Sequence, residues 1–332
     1  MFRTFRIATY AGLLTLGGLA STASAADLDV VASFSIIGDF AKNVGGERVA
    51  VTVLVGPDGD AHVYEPRPAD AAALEKAGVV LVNGLELEGF MKRLIETSGT
   101  KAPVVEVSKG ITPLKAEEGE EHHHDGKAEE AGHDHDGEEK EEASHDHAHE
   151  GHHHHGEFDP HAWQSIPNAE IYVKNIADAF CEADKAGCAT YTANAEAYLA
   201  KLAALQTEVK AAIDAIPADR RTIITSHDAF GYFAHEYGLK FLAPEGVSTE
   251  AEASAADVAK LVDQVKEDKS SAIFVENITN PRLIEQIAAE TGLKIGGTLY
   301  SDALSGEDGP AATYIDMFRH NVETIRAAVL GS

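Results

Sequence analysis

The chain has 332 residues and carries 27 Lys and Arg against 55 Asp and Glu, a formal charge of −28 with its 17 His counted as neutral. So acidic a chain is repelled by nucleic acid and by anionic membrane surfaces, which excludes both as partners. With only two cysteines it cannot build a thiolate metal site, and past the amino-terminal segment no run approaches 18 uninterrupted apolar residues.

The first 25 residues have the layout of an export signal. Arg3 and Arg6 give a positive start, residues 7–20 are an apolar run too short to span a bilayer, and Ala23-Ser24-Ala25 is an A-x-A cleavage pattern. Cleavage there removes two Arg and no acid, leaving 25 basic against 55 acidic residues, or −30. No Cys follows the apolar run, so the expected mature product is periplasmic, without a lipid anchor and without membrane insertion.

Short apolar runs then alternate with helical patterns. VVASF (30–34), VAVTVLV (49–55), VVLVN (79–83) and PVVEV (103–107) are expected buried strands, with helices such as 36–44 and 68–76 between them. That is the rhythm of a parallel α/β sheet. Residues 116–157 break it, with 16 acids, two Lys and twelve histidines: His122, His123, His124, His133, His135, His145, His147, His149, His152, His153, His154 and His155. No large apolar side chain lies between residues 121 and 155, so the segment cannot offset its ordering entropy and is expected as a disordered loop. Imidazole and carboxylate both bind divalent first-row ions, so the loop is expected to hold several ions weakly and to act as an accessory collector or a sensor.

Beyond the loop, helices are expected over 168–183 and from residue 191 to about 215, where Leu199, Leu202 and Leu205 repeat at helical spacing. Cys181 and Cys188 lie beside the junction of the two; an oxidising compartment favours a bridge, two unpaired thiols being the alternative. Strands resume with RTIITS (221–226), LKFLA (239–243), AIFVEN (272–277) and LKIGGTLYS (293–301). The roughly 265 residues outside signal and loop suffice for two lobes with a core each. The expected organisation is a lobe over 26–188 containing the loop, a linking helix over 189–215 and a lobe over 216–332, with a cleft between the lobes.

Five histidines lie outside the loop, and three of them follow strands or rigid turns: His62 after VAVTVLV, His161 in DPHAW, and His227 after RTIITS; Asp302 follows LKIGGTLYS. Ligands of open α/β sheets collect beyond the carboxyl ends of strands, so these four form a candidate metal site, two from each lobe. Asp60 and Glu65 flank His62 and are candidates either for the site or for turn and helix-start roles, while Glu276 and Asn83 end strands where they could orient ligand imidazoles. His235 and His320 are expected to be structural or exposed. A catalytic zinc keeps an open position with a general base nearby, as in H-E-x-x-H, and neither feature is visible, so no enzyme is expected.

GDAHVYEPRPADAAALEKAGVVLVNGLELE, DPHAW, TSHDAFGYFA, FVENITNPRLIEQIA and LYSDALSGEDGPAATYIDMFRHN resemble the zinc- and manganese-binding proteins of ABC importers, the cluster A-I metal solute-binding family. The resemblance runs from about residue 28 to 328, excluding the histidine loop. It implies two (β/α)4 lobes with parallel sheets, a rigid connecting helix, and a metal clamped between them by His62, His161, His227 and Asp302. It also implies an ABC transporter permease as partner and a monomeric chain, with a metallochaperone as a possible loading partner. Manganese-binding members look like TSEG where this chain has TSHD, so histidine at 227 points to Zn2+, with three imidazoles and one carboxylate. Asp302 departs from zinc members that use water or a nearby Glu, which keeps Mn2+ as the alternative. The expected function is capture of Zn2+ outside the cytoplasm and delivery to the permease; a manganese carrier, or a metal-dependent adhesin or storage protein, are the alternatives.

Overall fold

The structure, a computed structural model, describes residues 26–116, 156–268 and 270–331. The expected signal (1–25) and the twelve loop histidines lie outside the described residues. Apolar runs at the expected places form two four-stranded parallel sheets. The first contains β1 (Leu28–Phe34), β2 (Val49–Val55), β3 (Val79–Val82) and β4 (Val104–Glu106), in the order β2-β1-β3-β4. Its crossovers are α1 (Ser35–Gly45), α2 (Pro68–Lys76) and α3 (Gly89–Ser98), followed by α4 (Ile166–Ala183). A long helix, α5 (Cys188–Asp214), leads to the second sheet.

That sheet repeats the pattern. It holds β5 (Thr222–Ile224), β6 (Lys240–Leu242), β7 (Ala272–Glu276) and β8 (Ile295–Leu299) in the order β6-β5-β7-β8, with α6 (Gly231–Tyr237), α7 (Ala255–Asp268), α8 (Arg282–Thr291) and α9 (Tyr314–Leu330) as the helices. Two helix starts fall earlier than the sequence pattern gives. α4 opens at Ile166 because Pro167 suits a first helical turn, where no N–H partner is needed, and α5 opens at Cys188 directly after Gly187. Cys181 and Cys188 form a disulfide across this corner.

The expectation of a separate core for each lobe holds only for the outer faces. Leu74, Met91 and Leu94 pack under the first sheet, and Leu261, Val265, Ile284 and Ile287 under the second. The inner faces share one continuous core in which Phe40, Trp163, Tyr172 and Leu202 join Phe230, Phe233, Tyr314 and Phe318. Leu202, Leu205, Val209 and Ile213 line one stripe of α5 and are buried, each worth roughly 1.5–3 kcal/mol by area. Alternating strand and helix patterns reveal two sheets, but a helix stripe in a sequence does not say that helices of both halves will pack on it, as α1, α4 and α9 do. Among the described residues no helix is long and apolar enough to cross a membrane.

Candidate metal centre

Both histidines of the first half sit on the same local device, D-x-H. In Asp60-Ala61-His62 and in Asp159-Pro160-His161, Oδ1 of the Asp accepts the backbone N–H of the His two residues on, at 2.8 and 2.9 Å. Such a turn fixes the backbone without any secondary structure. Thereafter the two differ. Oδ1 of Asp159 also lies 2.7 Å from Nδ1 of its own His161, whereas Oδ2 of Asp60 accepts from Thr249 Oγ1 at 2.6 Å, from the other half of the chain.

His227 follows β5 and Asp302 follows β8, beyond the carboxyl ends of their strands. Glu276, the last residue of β7, accepts the backbone N–H groups of Ser226 and His227 through Oε1 at 2.7 and 2.9 Å. Its Oε2 stands 2.7 Å from Nδ1 of His227, off the line of a directed hydrogen bond. Asp302 is anchored through its neighbour: the carbonyl of Ser301 accepts from Trp163 Nε1 at 2.9 Å and Gln164 Nε2 at 2.6 Å, both in the short turn that follows His161.

These supports bring together the four residues that the sequence singles out, with one donor atom of each within 4.8 Å of the others. Oδ2 of Asp302 lies 3.1 Å from Nε2 of His62, 3.2 Å from Nε2 of His227 and 3.6 Å from Nε2 of His161, and the Nε2 atoms of His62 and His161 are 3.3 Å apart. His161, His227 and Asp302 are fully buried, and His62 retains 8% exposure. With a carboxylate beside Nδ1 of His161 and of His227, those nitrogens carry the protons and the Nε2 lone pairs turn inward. Lone pairs and a carboxylate oxygen at this spacing repel one another unless protons or a metal ion lie among them.

The electrostatics agree. Burial opposes charge on His161, but Asp302 and Asp159 outweigh it and raise the imidazole to about 9. Burial likewise opposes charge on His227, and Glu276 and Asp302 hold it well above the ordinary range. Burial would raise the Asp302 carboxyl, yet His161 and His227 hold it well below its usual value. The cluster thus concentrates negative charge that only protons or a metal ion can balance. Asp302 Oδ1 is buried with no hydrogen-bond partner, leaving a second oxygen available to a cation.

The flanking candidates take other places. Asp60 spends its oxygens on His62 N–H and Thr249, and Glu65 is exposed ahead of α2. Asn83 reaches no imidazole; it donates to the carbonyl of Pro160 at 2.9 Å and accepts from Tyr172, so it holds the peptide before His161. Glu276 does face an imidazole, as its position suggests. His235 is exposed on α6, and Nε2 of His320 lies 3.0 Å from the Thr298 carbonyl. Asp159 and Thr249 are supports of the candidate ligands that the sequence reasoning missed; the D-x-H repeat is a local signal for the first, and nothing local marks the second.

Comparison with known proteins places this chain in a family. The family described as zinc-uptake complex component A, periplasmic, matches residues 30–328. A manganese-binding lipoprotein of Halalkalibacterium halodurans is 36% identical over 297 residues, 90% of this chain and 87% of the relative. An iron-binding protein of Yersinia pestis is 32% identical over 324 residues, 97% and 93% of the two chains. The solved periplasmic zinc binding protein of Treponema pallidum shares the fold with a TM-score of 0.76 at 30% identity, covering 91% of this chain and 99% of that one. The chain belongs to the zinc-uptake complex component A family, solute-binding proteins of metal ABC importers rather than enzymes.

Proposed function

We propose that this chain is the extracytoplasmic protein that captures Zn2+ and hands it to the permease of an ABC importer, with His62, His161, His227 and Asp302 as ligands. The observation that carries this is the buried convergence of three Nε2 atoms on one carboxylate oxygen. Three imidazoles and one carboxylate suit a borderline-soft, four-coordinate ion, and they close the site to a reacting water, as a carrier requires. The histidine-rich segment acts as an accessory collector. The described residues on either side of it are paired with each other, Lys115 bridging Phe158 and Ala116 N–H donating to the Glu157 carbonyl, so its two roots meet beside the turn that leads into His161.

A manganese reading is favoured by one observation, the unpartnered Oδ1 of Asp302, which adds an oxygen donor and a higher coordination number. The deciding experiment is metal content of untagged protein, followed by competition between Zn2+ and Mn2+ at equal free concentrations. One tightly held Zn2+ per chain that Mn2+ cannot displace supports the zinc assignment. Preferential retention of Mn2+ overturns it.

A further inference from the structure

The four donors are sealed unequally, and the difference marks a route. Of the described cavities between the two halves, one of about 290 Å³ lies beside Tyr232 and His235 and touches none of the four. A second, of about 470 Å³, is lined by His62, and none of the other three ligands lines it. His62 is also the one ligand with any exposure, and the one whose imidazole Nδ1 faces no carboxylate among the described residues, in contrast to His161 with Asp159 and His227 with Glu276. One wall of this cleft is the segment Val247, Ser248 and Glu250 from the second half. Thr249, in the middle of that wall, donates to Asp60 Oδ2, and Asp60 Oδ1 holds the backbone N–H of His62. One carboxylate therefore ties the least buried ligand to the wall in front of it.

We propose that metal enters and leaves past His62 through this cleft, and that the Thr249–Asp60 hydrogen bond is the latch that holds the wall and His62 in place while the ion is bound. Thr249 is a positioning residue: it touches no donor atom, and it acts through Asp60. This rests on the assignment of the four ligands above. A hydrogen bond to a carboxylate shared between two loops contributes mainly to the lifetime of the closed arrangement, because it has to break before the wall can move.

The test uses the full chain loaded with one equivalent of Zn2+, with dissociation followed by a chelator chase and association by stopped flow. Thr249→Val keeps the side-chain shape and removes the donor; it is expected to speed the slow dissociation phase about tenfold with association changed less than twofold, and Thr249→Ser is expected to restore the native rate. A side chain needed only for folding would lower Tm without this split between the two rates. Ser248→Cys capped with a bulky maleimide is expected to slow both rates together, while a small iodoacetamide cap does not. A dissociation rate in Thr249→Val equal to wild type overturns the latch, and unchanged rates in the bulky adduct overturn the route. If the wild-type chain shows no slow phase and no tight Zn2+ in an equilibrium competition, the ligand assignment itself fails, and that outcome is separate from either of the others.

Discussion

Glu276 holds His227 at both of its ends, taking the backbone N–H through Oε1 at 2.9 Å and facing the ring Nδ1 with Oε2 at 2.7 Å. The carboxylate thereby sets the direction of the inward Nε2 and makes the imidazole a stronger donor. Glu276→Gln retains an acceptor for the backbone but removes the charge. We expect a loss of about 10- to 100-fold in Zn2+ affinity, measured by competition with a fluorescent chelator. Affinity within twofold of wild type would mean that the ring is held by packing alone.

The ligand assignment makes a graded prediction. His62→Ala, His161→Ala and His227→Ala each remove one of four donors from a buried site and are expected to cut affinity by orders of magnitude. Asp302→Ala is expected to cost less, since a water can take the place of its oxygen. His235→Ala and His320→Ala should leave affinity unchanged, because neither ring is among the converging donors. Similar losses at His235 and His227 would disprove the assignment.

Protons and metal compete for the same nitrogens, so pH moves the two forms of the protein in opposite directions. The pKa of His161 is raised to about 9 in the metal-free protein. Its contribution to stability is fully present below the unfolded imidazole value of about 6.5 and is lost as pH rises through about 9. Metal binding displaces that proton, so affinity climbs over the same range. Scanning calorimetry of chelator-stripped protein should show Tm falling from pH 6.5 to 9, while the gain in Tm on adding one equivalent of Zn2+ grows. A metal-free Tm that rises across this window would show that the cluster holds no proton.

Stability and binding should separate at the α4–α5 corner. The Cys181–Cys188 bridge spans a sequence separation of 7 residues, and loop-closure entropy for so short a ring is about 2 kcal/mol. Inside that ring Asp184 receives Arg48 Nη2 at 2.8 Å and the Tyr191 hydroxyl at 2.8 Å, none of them in contact with the metal ligands. Replacing both cysteines by Ser should lower Tm by several degrees and leave Zn2+ affinity as it was. A parallel drop in affinity would reveal coupling between this corner and the site.

Much of this arrangement is legible in the sequence because its signals are local. Each strand is a short apolar run bounded by turn residues; His227 and Asp302 stand directly after such runs, and His62 follows one across the turn GPDGDA. Glu276 is legible for the same reason, as an acid ending a strand. Asp159 is hidden in a motif whose histidine draws the attention, although the parallel Asp60-x-His62 shows what such an Asp does. Thr249 is not legible at all: its partner lies 189 positions away, and only the packing of one half against the other brings them within 2.6 Å. The shared inner core escapes for a related reason, since an apolar stripe on α5 is equally consistent with one neighbour or two.

Residue 227 is the position at which ion choice should be adjustable, and its surroundings determine how. His227→Glu converts three imidazoles and one carboxylate into two of each, and harder oxygen donors with a higher coordination number help Mn2+. The Irving–Williams order still favours Zn2+ at any nitrogen-bearing site, so the expected result is a large loss for Zn2+ and a small loss or slight gain for Mn2+. Here, however, the new carboxylate would stand against Glu276, which faces the ring of His227 at 2.7 Å, with Asp302 on its other side. Three buried carboxylates in a row raise one another's pKa and weaken binding of either ion. The double variant His227→Glu/Glu276→Gln removes that repulsion, and it should recover Mn2+ affinity relative to His227→Glu alone while Zn2+ affinity stays low. Both ions should be titrated into each variant by competition, reading the tight site below one equivalent, where the weaker histidine-segment sites remain empty. If the Zn2+ to Mn2+ ratio is the same in all three proteins, residue 227 does not set ion choice, and selectivity has to reside in Asp302 and its free oxygen.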